Sequence, residues 1–447
     1  MRAMLRYASP ALIVFLAASV RAEEPPRPNL LIVFTDDQGY GDLGCFGSTT
    51  HETPRLDRLA AEGTRYTSFY AQNVCGPSRS ALLTGRYPMR SGGWGMPAEE
   101  VTWAELLQGV GYQTACIGKW DVSDRAPIVD RMPLAQGFDF YFGTLGANDD
   151  GRVRFHEGNE AWGETSDMGM LTRVYTDQAI RYLREIRKDD RPFALYLAHT
   201  MMHTDIDASE AFRGRSEGGL YGDVVEEFDH ETGRLLDVMD ELGLTENTLV
   251  LYTTDNGPWN QPAYIENEEG HPPDTKFWGD RGPLRAGKGS CYEAGSRVPC
   301  IVRWPGHVAA GKSSDALFTT LDLLPTFATL AGFEPPPDRR IDGVCQTDLL
   351  LGRSEEGARE TFVYQAHTSR GRNTYALNGI RKGRWKLLRA EHHVPGYARD
   401  TEREEVVELY DLEADLGETN NLASTHPERV AELTRMLDEF ELTASED

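Results

Sequence analysis

Three acidic side chains and one amide stand directly after two apolar runs that have the character of buried strands. Asp36 and Asp37 follow the first run, and Asp255 and Asn256 follow the second. Ligands in open α/β sheets bind at the carboxyl ends of strands, so the two pairs are expected to meet there. Hard oxygen ligands of this number suit Ca²⁺, and Mg²⁺ less well. An isolated acidic pair can equally cap a loop, so the metal hypothesis depends on the groups that accompany it.

The second concentration of chemical groups is the segment 75–86, which reads Cys-Gly-Pro-Ser-Arg-Ser-Ala-Leu-Leu-Thr-Gly-Arg. It matches the Cys-x-Pro-Ser-Arg signature of sulfatases and its usual Thr-Gly-Arg continuation. The chain therefore resembles the type I, formylglycine-dependent sulfatases of the alkaline phosphatase superfamily, which include arylsulfatases and N-acetylgalactosamine-6-sulfatase. The resemblance covers nearly the whole mature chain, with further matching stretches at 35–42, 118–120, 254–257, 287–289 and 297–299.

The resemblance implies that Cys75 is a precursor, oxidised to Cα-formylglycine (3-oxoalanine) by a maturation enzyme, and that residue 75 also contacts the metal. A thiol is poorly suited to attack the sulfur of a sulfate ester, whereas an aldehyde hydrate offers two hydroxyls. One hydroxyl attacks sulfur to give a covalent sulfoenzyme intermediate, and deprotonation of the other expels sulfate and restores the aldehyde. The metal would lower the pKa of the attacking hydroxyl and polarise a sulfate oxygen.

The charges of the predicted site require additional cations. Three ligand carboxylates around a divalent cation leave one net negative charge, which repels a sulfate monoester. By resemblance, Arg79 steadies the formylglycine, while Lys119 and Lys288 bind sulfate oxygens, and these three cations reverse the sign. An isolated lysine is by default a solvated surface charge, but the glycines on either side of Lys288 favour a tight loop.

Two histidines follow the apolar run 193–197. His203 stands where the family segment ends in Pro-His, although Met202 replaces the proline. His203 is the candidate acid for the leaving alkoxide and a substrate contact, a role it would share with Lys288. His199 is interpreted as structural.

Two positions depart from the family pattern. Asp121 replaces the histidine of Gly-Lys-Trp-His that normally contacts the formylglycine hydrate. Asp121 is able to accept the same proton, but it adds a negative charge to the site. Ala147 stands where relatives often place a sulfate-contacting serine. Its neighbour Asn148 either donates to the substrate instead or serves the structure of the loop.

The elements that must position these residues follow from hydrophobic periodicity. Nearly continuous apolar runs at 29–34, 193–197 and 248–252 predict strands buried on both faces of a largely parallel sheet. Helical periodicity at 173–187 and 222–242 alternates with them. The alternation predicts an α/β fold with a large mixed, mostly parallel sheet flanked by helices, and the resemblance implies the alkaline phosphatase-like form of it.

The pattern changes near residue 360, where short strand candidates and one closing helix predict a small antiparallel sheet with a helix packed on it. The strand candidates are 361–364, 374–377, 385–388 and 406–410, and the helix runs from about 427 to 442. The expected organisation is a signal peptide at 1–22, a catalytic domain at 23–359 and a C-terminal subdomain at 360–447.

The N-terminus predicts export. Arg2 and Arg6 precede an apolar run at 11–18, and Ala22 closes a small-residue cleavage site, as in secretory signal peptides. An uncleaved anchor is the alternative, but the run is shorter than the roughly 20 residues of a membrane span. We therefore expect a periplasmic or secreted protein without stable membrane association. The net charge of −25 argues against nucleic-acid binding.

The six cysteines leave two possibilities open. An even number in an exported chain allows three disulfides. If Cys75 is modified, five remain, and most are equally well explained as small buried apolar residues.

These features together predict a sulfuric ester hydrolase that removes sulfate from a sulfated poly- or oligosaccharide. A phosphodiesterase or phosphonate monoester hydrolase of the same superfamily is one alternative, because such relatives use the same modified cysteine. A metal-dependent glycan-binding protein that has lost catalysis through Asp121 is the other.

Overall fold

The computed structural model describes residues 27–259, 279–368, 371–389 and 407–443. The expected signal peptide at 1–22 lies outside these residues. Within the described ranges, no helix is both long enough and apolar enough to cross a bilayer.

A large mixed sheet forms the centre of the molecule. Its strands in chain order are β1 (Asn29–Thr35), β2 (Thr64–Tyr70), β3 (Gln113–Lys119), β4 (Phe140–Thr144), β5 (Val153–Glu157), β6 (Glu160–Thr165), β7 (Phe193–Ala198), β8 (Thr248–Thr254), β9 (Arg297–Arg303), β10 (Lys312–Ser314) and β11 (Phe318–Thr319). Their spatial order is β10-β2-β9-β8-β1-β7-β3-β4-β5-β6, with β11 also beside β2. The five strands from β8 to β4 are parallel. Antiparallel pairs flank them, β9 with β8 and β2 on one side and the β5–β6 hairpin on the other.

The composition of β1 explains why the sheet is covered on both faces. All seven of its residues are buried. Leu30, Ile32 and Phe34 enter one apolar core, while the alternating Leu31 and Val33 enter a second core on the opposite face, as the two-residue period of a strand requires.

Helices supply the other half of each core. In chain order they are α1 (Pro54–Ala61), α2 (Cys75–Thr84), α3 (Pro88–Ser91), α4 (Trp103–Gly109), α5 (Leu171–Ile186), α6 (Gly219–Glu241), α7 (Glu293–Ser296), α8 (Leu323–Ala331), α9 (Thr347–Leu350) and α10 (Pro427–Thr443). Helices α4 and α8 pack in the core that contains Ile32, and α5 and α6 pack in the core that contains Val33. The predicted α/β class with a mostly parallel, helix-flanked sheet is confirmed.

The C-terminal part is a separate antiparallel sheet in the order β12 (Thr361–Thr368), β13 (Gly371–Lys382), β14 (Trp385–Leu388) and β15 (Glu408–Asp411). The buried Leu433 and Leu437 pack α10 against it. The predicted small sheet with one helix is therefore confirmed. Its core also contains Tyr70 and Val74 of the large domain, so the subdomain packs close to Cys75. The division at 359/360 stays a prediction.

All six cysteines are unpaired in the structure. Cys75, Cys116, Cys291 and Cys300 are buried, and the other two are half-buried. Most of the cysteines are therefore small buried apolar residues, as the second of the two possibilities predicted. None of the six forms a disulfide.

Candidate active site

The predicted chemical groups meet at one edge of the large sheet. β1 and β8 are parallel neighbours whose last residues, Thr35 and Thr254, are paired, so Asp36 and Asp255 emerge side by side. β3 ends at Lys119, and the segment that carries both histidines follows β7 at the same edge. The topology thus brings together four strand ends that are far apart in the chain.

Cys75 is the first residue of α2, a helix that is buried on all sides. Arg79 lies four residues later, so both side chains share one helix face. Gly76 must lack a side chain, since a Cβ atom there would lie 2.2 Å from the ring of Trp94. The Ser78 hydroxyl accepts from the N–H of Gln72 at 2.9 Å and so joins the helix to the chain that enters it.

The second half of the motif ends this helix. Gly85 adopts a left-handed φ of 67°, and its N–H bonds to the carbonyl of Ala81. Glycine is favoured in this backbone conformation. Arg86 then binds the carboxylate of Glu100 at 2.6 Å. The Thr-Gly-Arg continuation is therefore a structural device that fixes α2, and with it Cys75.

Arg79 is held rigidly beneath the site. Its guanidinium donates to Asp255 at 2.8 Å and to the carbonyl of Lys119 at 3.0 Å, and it lies 3.5 Å from Asp36. Burial would lower the pKa of Arg79, but Tyr196 and then Asp255 and Asp36 raise it well above its ordinary value. Arg79 is therefore a fixed positive charge.

The acidic groups have the arrangement of a cation site. Ligand atoms of Asp36, Asp37, Cys75 and His203 all lie within 4.8 Å of one another. Among the described residues, Asp36 Oδ1 and Asn256 Oδ1 are buried without a hydrogen-bond partner. Burial and the nearby Asp36 raise the pKa of Asp255, which is the signature of crowded carboxylates. Buried, unpartnered oxygens among crowded carboxylates fit a hard cation such as Ca²⁺. The participation of His203 was not anticipated.

Both predicted lysines point into this acidic group and are fully buried. Lys119 Nζ lies 2.6 Å from Asp36, and Lys288 Nζ lies 2.7 Å from Asp37. Burial lowers the pKa of Lys119, but Asp121 and Asp36 more than reverse the effect, so the ammonium stays charged. The N–H of Gly289 bonds to the carbonyl of Asn73 at 2.7 Å, which ties the Lys288 loop to the chain just before Cys75.

His203 presents its Nε2 atom to the site. Its Nδ1 lies 2.6 Å from the carbonyl oxygen of Thr204, so Nδ1 is the donor of the neutral ring. Nε2 lies 3.3 Å from Asp149 and 3.7 Å from Asp37. Burial and the nearby Lys288 lower the pKa of His203, while Asp37 opposes them.

Asp121 is fully buried beside Lys119, at 3.5 Å. Its Oδ1 accepts from Arg125 Nε at 2.7 Å. Burial would raise the pKa of Asp121, but Arg125 and Lys119 lower it below its ordinary value, so the carboxylate is ionised. Arg125 also pairs with Asp149. Arg125 and Asp149 were missed in the sequence, where the only signal was that a buried Asp121 requires a compensating cation.

Asn148 and His199 are buried close to the site and make their contacts within the protein. Asn148 Nδ2 donates to the carbonyls of His203 and Asp205, at 2.9 and 2.6 Å. Both amide hydrogens are thus used, which favours the loop-structural alternative over donation to sulfate. His199 packs edge-on against Tyr175 and Phe228, in keeping with a structural role.

The approach to the site is formed by partly exposed side chains. Arg125 is 24% exposed and Asp149 48% exposed, whereas Cys75 and the two lysines are almost completely covered. The Trp259 ring lies 4.9 Å from Lys288 Nζ and forms an aromatic wall beside it. The partly exposed side chains beside the site are therefore charged and aromatic.

Comparison with known proteins gives the same family over both parts of the chain. The sulfatase family model matches residues 28–333, and the model for the C-terminal region of N-sulphoglucosamine sulphohydrolase matches 287–444. The chain is 37% identical to N-acetylgalactosamine-6-sulfatase of Sus scrofa, over 80% of this chain and 72% of that protein. It is 34% identical to arylsulfatase A of Homo sapiens, over 97% of this chain and 90% of that protein.

A solved structure agrees with these matches. It is a Bacteroides thetaiotaomicron protein described with the metabolism of multiple glycosaminoglycans, with a TM-score of 0.78 and 29% identity over 94% of this chain and 100% of that one. The family resemblance and the alkaline phosphatase-like fold inferred from the sequence are confirmed.

Proposed function

The chain belongs to the sulfatase family and is a sulfatase enzyme, and we propose that it removes sulfate esters from a sulfated carbohydrate by means of residue 75 oxidised to formylglycine. The observation that carries this proposal is the position of Cys75 at the start of a buried helix, within 4.8 Å of an acidic cluster. Burial raises the pKa of the Cys75 thiol. An unmodified Cys75 would therefore remain protonated and unreactive at neutral pH.

The metal in this proposal is Ca²⁺, with Mg²⁺ as the second choice. Asp36, Asp37, Asp255, Asn256 and residue 75 would hold it, and the orphaned oxygens of Asp36 and Asn256 support that assignment. When bound, such a cation lowers the pKa of a neighbouring hydroxyl and polarises a sulfate oxygen. Arg79 donates a hydrogen bond to Asp255, and its positive charge offsets part of the negative charge of the carboxylates. The site would therefore accommodate an anionic substrate as well as a cation.

Residue 75 would supply the nucleophile. As a formylglycine hydrate it offers one hydroxyl that attacks sulfur and a second whose deprotonation releases sulfate. Asp121, ionised and with its Oδ2 atom free of hydrogen bonds among the described residues, is the acceptor we assign to the second hydroxyl's proton. Arg125, and after it Lys119 at 3.5 Å, lower the pKa of Asp121 and keep this carboxylate charged.

The remaining side chains act on the sulfate and on the leaving group. Lys119, beside Asp36, and Lys288, beside Asp37, would bind sulfate oxygens, where negative charge accumulates during the reaction. His203, whose Nε2 faces the site, would in its protonated form give a proton to the leaving alkoxide. Asn148 would act indirectly, by holding the carbonyl of His203.

A sulfated sugar is the substrate class that we favour. The relatives named above include N-acetylgalactosamine-6-sulfatase and a protein described with glycosaminoglycan metabolism. Trp259, half-buried beside Lys288, provides a flat apolar face of the kind on which a sugar ring packs. We propose in addition that the protein is exported, to the periplasm or outside the cell, and is matured by a formylglycine-generating enzyme.

Two measurements test the proposal. Mass spectrometry of the peptide that contains residue 75, from protein made with a maturation system, should show the thiol converted to an aldehyde. Mature protein should release sulfate from members of a panel of sulfated oligosaccharides, and Cys75→Ala should not. An unmodified Cys75 in fully active protein would refute the nucleophile.

The same experiments separate the alternatives. Paired rates on an aryl sulfate and an aryl phosphodiester distinguish the sulfatase from a phosphodiesterase or phosphonate monoester hydrolase, which would prefer phosphorus by orders of magnitude. Binding of sulfated glycans without any release, in both the wild type and Asp121→Ala, would instead indicate a glycan-binding protein.

A further inference from the structure

A continuous chain of charged groups runs around the site from one proton-transfer position to the other. It begins at Asp121 beside Lys119, passes through Arg125 to Asp149, and ends at His203. The two ends have different roles in the proposed function, because Asp121 accepts a proton of the formylglycine hydrate and His203 protonates the leaving group. Arg125 pairs with both Asp121 and Asp149 and so joins the two halves.

The guanidinium geometry makes this double contact possible. Arg125 Nε donates to Asp121 Oδ1 at 2.7 Å, while Nη1 of the same side chain donates to Asp149. A planar guanidinium offers several donors in a fixed fork, whereas a lysine ammonium is a single point charge. Burial would raise the pKa of Asp149, but His203 and Arg125 hold it at about 2, so this carboxylate is ionised throughout the working range.

Asp149 in turn acts on the nitrogen of His203 that faces the site. The other nitrogen, Nδ1, is occupied by the carbonyl of Thr204, and Nε2 lies 3.3 Å from Asp149 Oδ1. A carboxylate at that distance orients the imidazole ring and holds Nε2 toward the site. In the proposed function Nε2 is the atom from which the departing alkoxide takes its proton, so its direction decides whether that transfer can occur.

The backbone of this turn supports a specific role for the ion pairs. Asp121, Asp124 and Arg125 all adopt left-handed φ angles, of 56°, 54° and 57°. Such angles cost conformational free energy in residues other than glycine and persist where the surroundings enforce them. Here the enforced turn directs Asp121 inward and lets Arg125 fold back over it.

We propose that Arg125 is a positioning residue for hydrolysis: it holds Asp149 against His203 and Asp121 beside Lys119, so that leaving-group protonation depends on its guanidinium. The inference rests on the proposed function, because it assumes that sulfate esters are hydrolysed at residue 75. When the S–O ester bond breaks, its electron pair stays on the leaving oxygen, and that oxygen takes the proton from His203 Nε2. An activated aryl oxygen departs without this proton, whereas a sugar alkoxide needs it.

The test compares two substrates in mature, Ca²⁺-loaded enzyme. Arg125→Ala should reduce kcat on a sugar or alkyl sulfate about tenfold to a hundredfold more than on 4-nitrophenyl sulfate, because acid catalysis contributes factors of about 10² to 10⁴. Arg125→Lys should lie closer to the alanine variant than to the wild type, and added guanidinium should restore part of the loss in Arg125→Ala.

Two further variants keep the test decisive. Asp149→Asn changes a side chain that is 48% exposed, so it should fold, and it should show the same difference between substrates. Arg131→Ala is the matched control, because Arg131 binds Asp124 and the carbonyl of Val122 in the same loop without touching the chain of charges. It should not separate the two substrates.

Equal losses on both substrates in the Arg125 and Asp149 variants, or the same pattern in Arg131→Ala, would overturn the inference. Failure of the proposed function has a different appearance, since the wild type itself would then release sulfate from neither substrate.

Discussion

Lys386 offers a sharp test of how the C-terminal subdomain is held to the catalytic domain. Its side chain is completely buried on β14, and its Nζ lies 2.9 Å from Glu293 and 2.7 Å from Glu418. Glu293 begins α7, which follows the Lys288 loop, and it also pairs with Arg297 at 3.3 Å. We predict that Lys386→Met strongly destabilises the protein, because it leaves two buried carboxylates beside each other without the cation that lies between them.

The magnitude follows from these distances. At an effective dielectric constant of about 20, each contact of about 2.8 Å carries about 6 kcal/mol of Coulomb attraction. Most of this is offset by the desolvation of the ammonium, and removing one partner of a buried pair costs about 3–5 kcal/mol net. We therefore expect Lys386→Met to lower the free energy of unfolding by about 3–5 kcal/mol.

The loss should depend on pH. Burial raises the pKa of Glu418 to about 7, even though Lys386 pulls it down. Without Lys386 this folded-state pKa rises further above the unfolded value, so the variant's Glu418 stays protonated to higher pH. A raised carboxyl pKa means that stability falls as pH increases through the interval between the unfolded and folded values. The cost should therefore approach the lower figure near pH 6 and the upper figure above pH 8.

Urea unfolding at several pH values, followed by tryptophan fluorescence, measures this effect, and Trp385 on the same strand serves as a local reporter. Lys382→Met is the matched control, because Lys382 pairs with Glu432 while both side chains are about a third exposed. Such a pair contributes about 1 kcal/mol or less. The double variant Lys386→Met/Glu418→Gln should recover part of the loss, since it removes the charge of one of the two buried carboxylates. A loss in Lys386→Met no larger than in Lys382→Met, and independent of pH, would refute this account of the buried cluster.

Three further predictions follow from other buried groups. Burial raises the pKa of Asp229 to about 6, so this group should cost the wild type up to about 3 kcal/mol of stability as pH rises from 4 to 7. Asp229→Asn should remove that loss when the free energy of unfolding in urea is measured against pH. The same fall of stability with pH in Asp229→Asn would contradict the assignment. Burial lowers the pKa of His199 to about 3, so its ring is neutral during catalysis. His199→Ala should lower the free energy of unfolding by about 2–4 kcal/mol, because it empties a buried site, while kcat/KM changes less than tenfold. A thousandfold loss in kcat/KM would instead indicate a catalytic role. Chelation of divalent cations should lower both the activity and the thermal unfolding temperature, and Ca²⁺ should restore both. The reason is that the carboxylates of Asp36, Asp37 and Asp255 repel one another when no cation lies between them. Identical melting curves with chelator and with Ca²⁺ would argue against the metal site.

The sequence by itself determined the elements whose signals are local. The apolar runs at 29–34, 193–197 and 248–252 correspond to β1, β7 and β8 within two residues at each end. A strand that is buried on both faces of a sheet is apolar along its whole length, so its sequence can be recognised without knowledge of the neighbouring strands. The C-terminal strands and α10 were found for a similar reason, since short alternating segments between turns are readable without knowledge of their partners. The motif around Cys75 was equally visible, because α2 and its glycine stop are contiguous in the chain.

Tertiary structure alone decided which of these elements are neighbours. The antiparallel strand β9 lies between β8 and β2, and nothing in its own residues specifies that pairing. The presence of His203 in the acidic cluster also depends on this assembly, since it requires the chain after β7 to return over the end of β1.

The site shows the same division. Candidate residues were recognised at strand ends, but the contacts that give them their charge states come from long-range packing. Arg125 turns back onto Asp121 only because several residues of the turn adopt left-handed angles, and Asn148 is committed to the carbonyls of His203 and Asp205. Pairing of buried charges depends on distances of a few ångströms and on the loss of solvent around them. Sequence spacing carries neither quantity, so the residue types could be inferred from the chain but their partners could not.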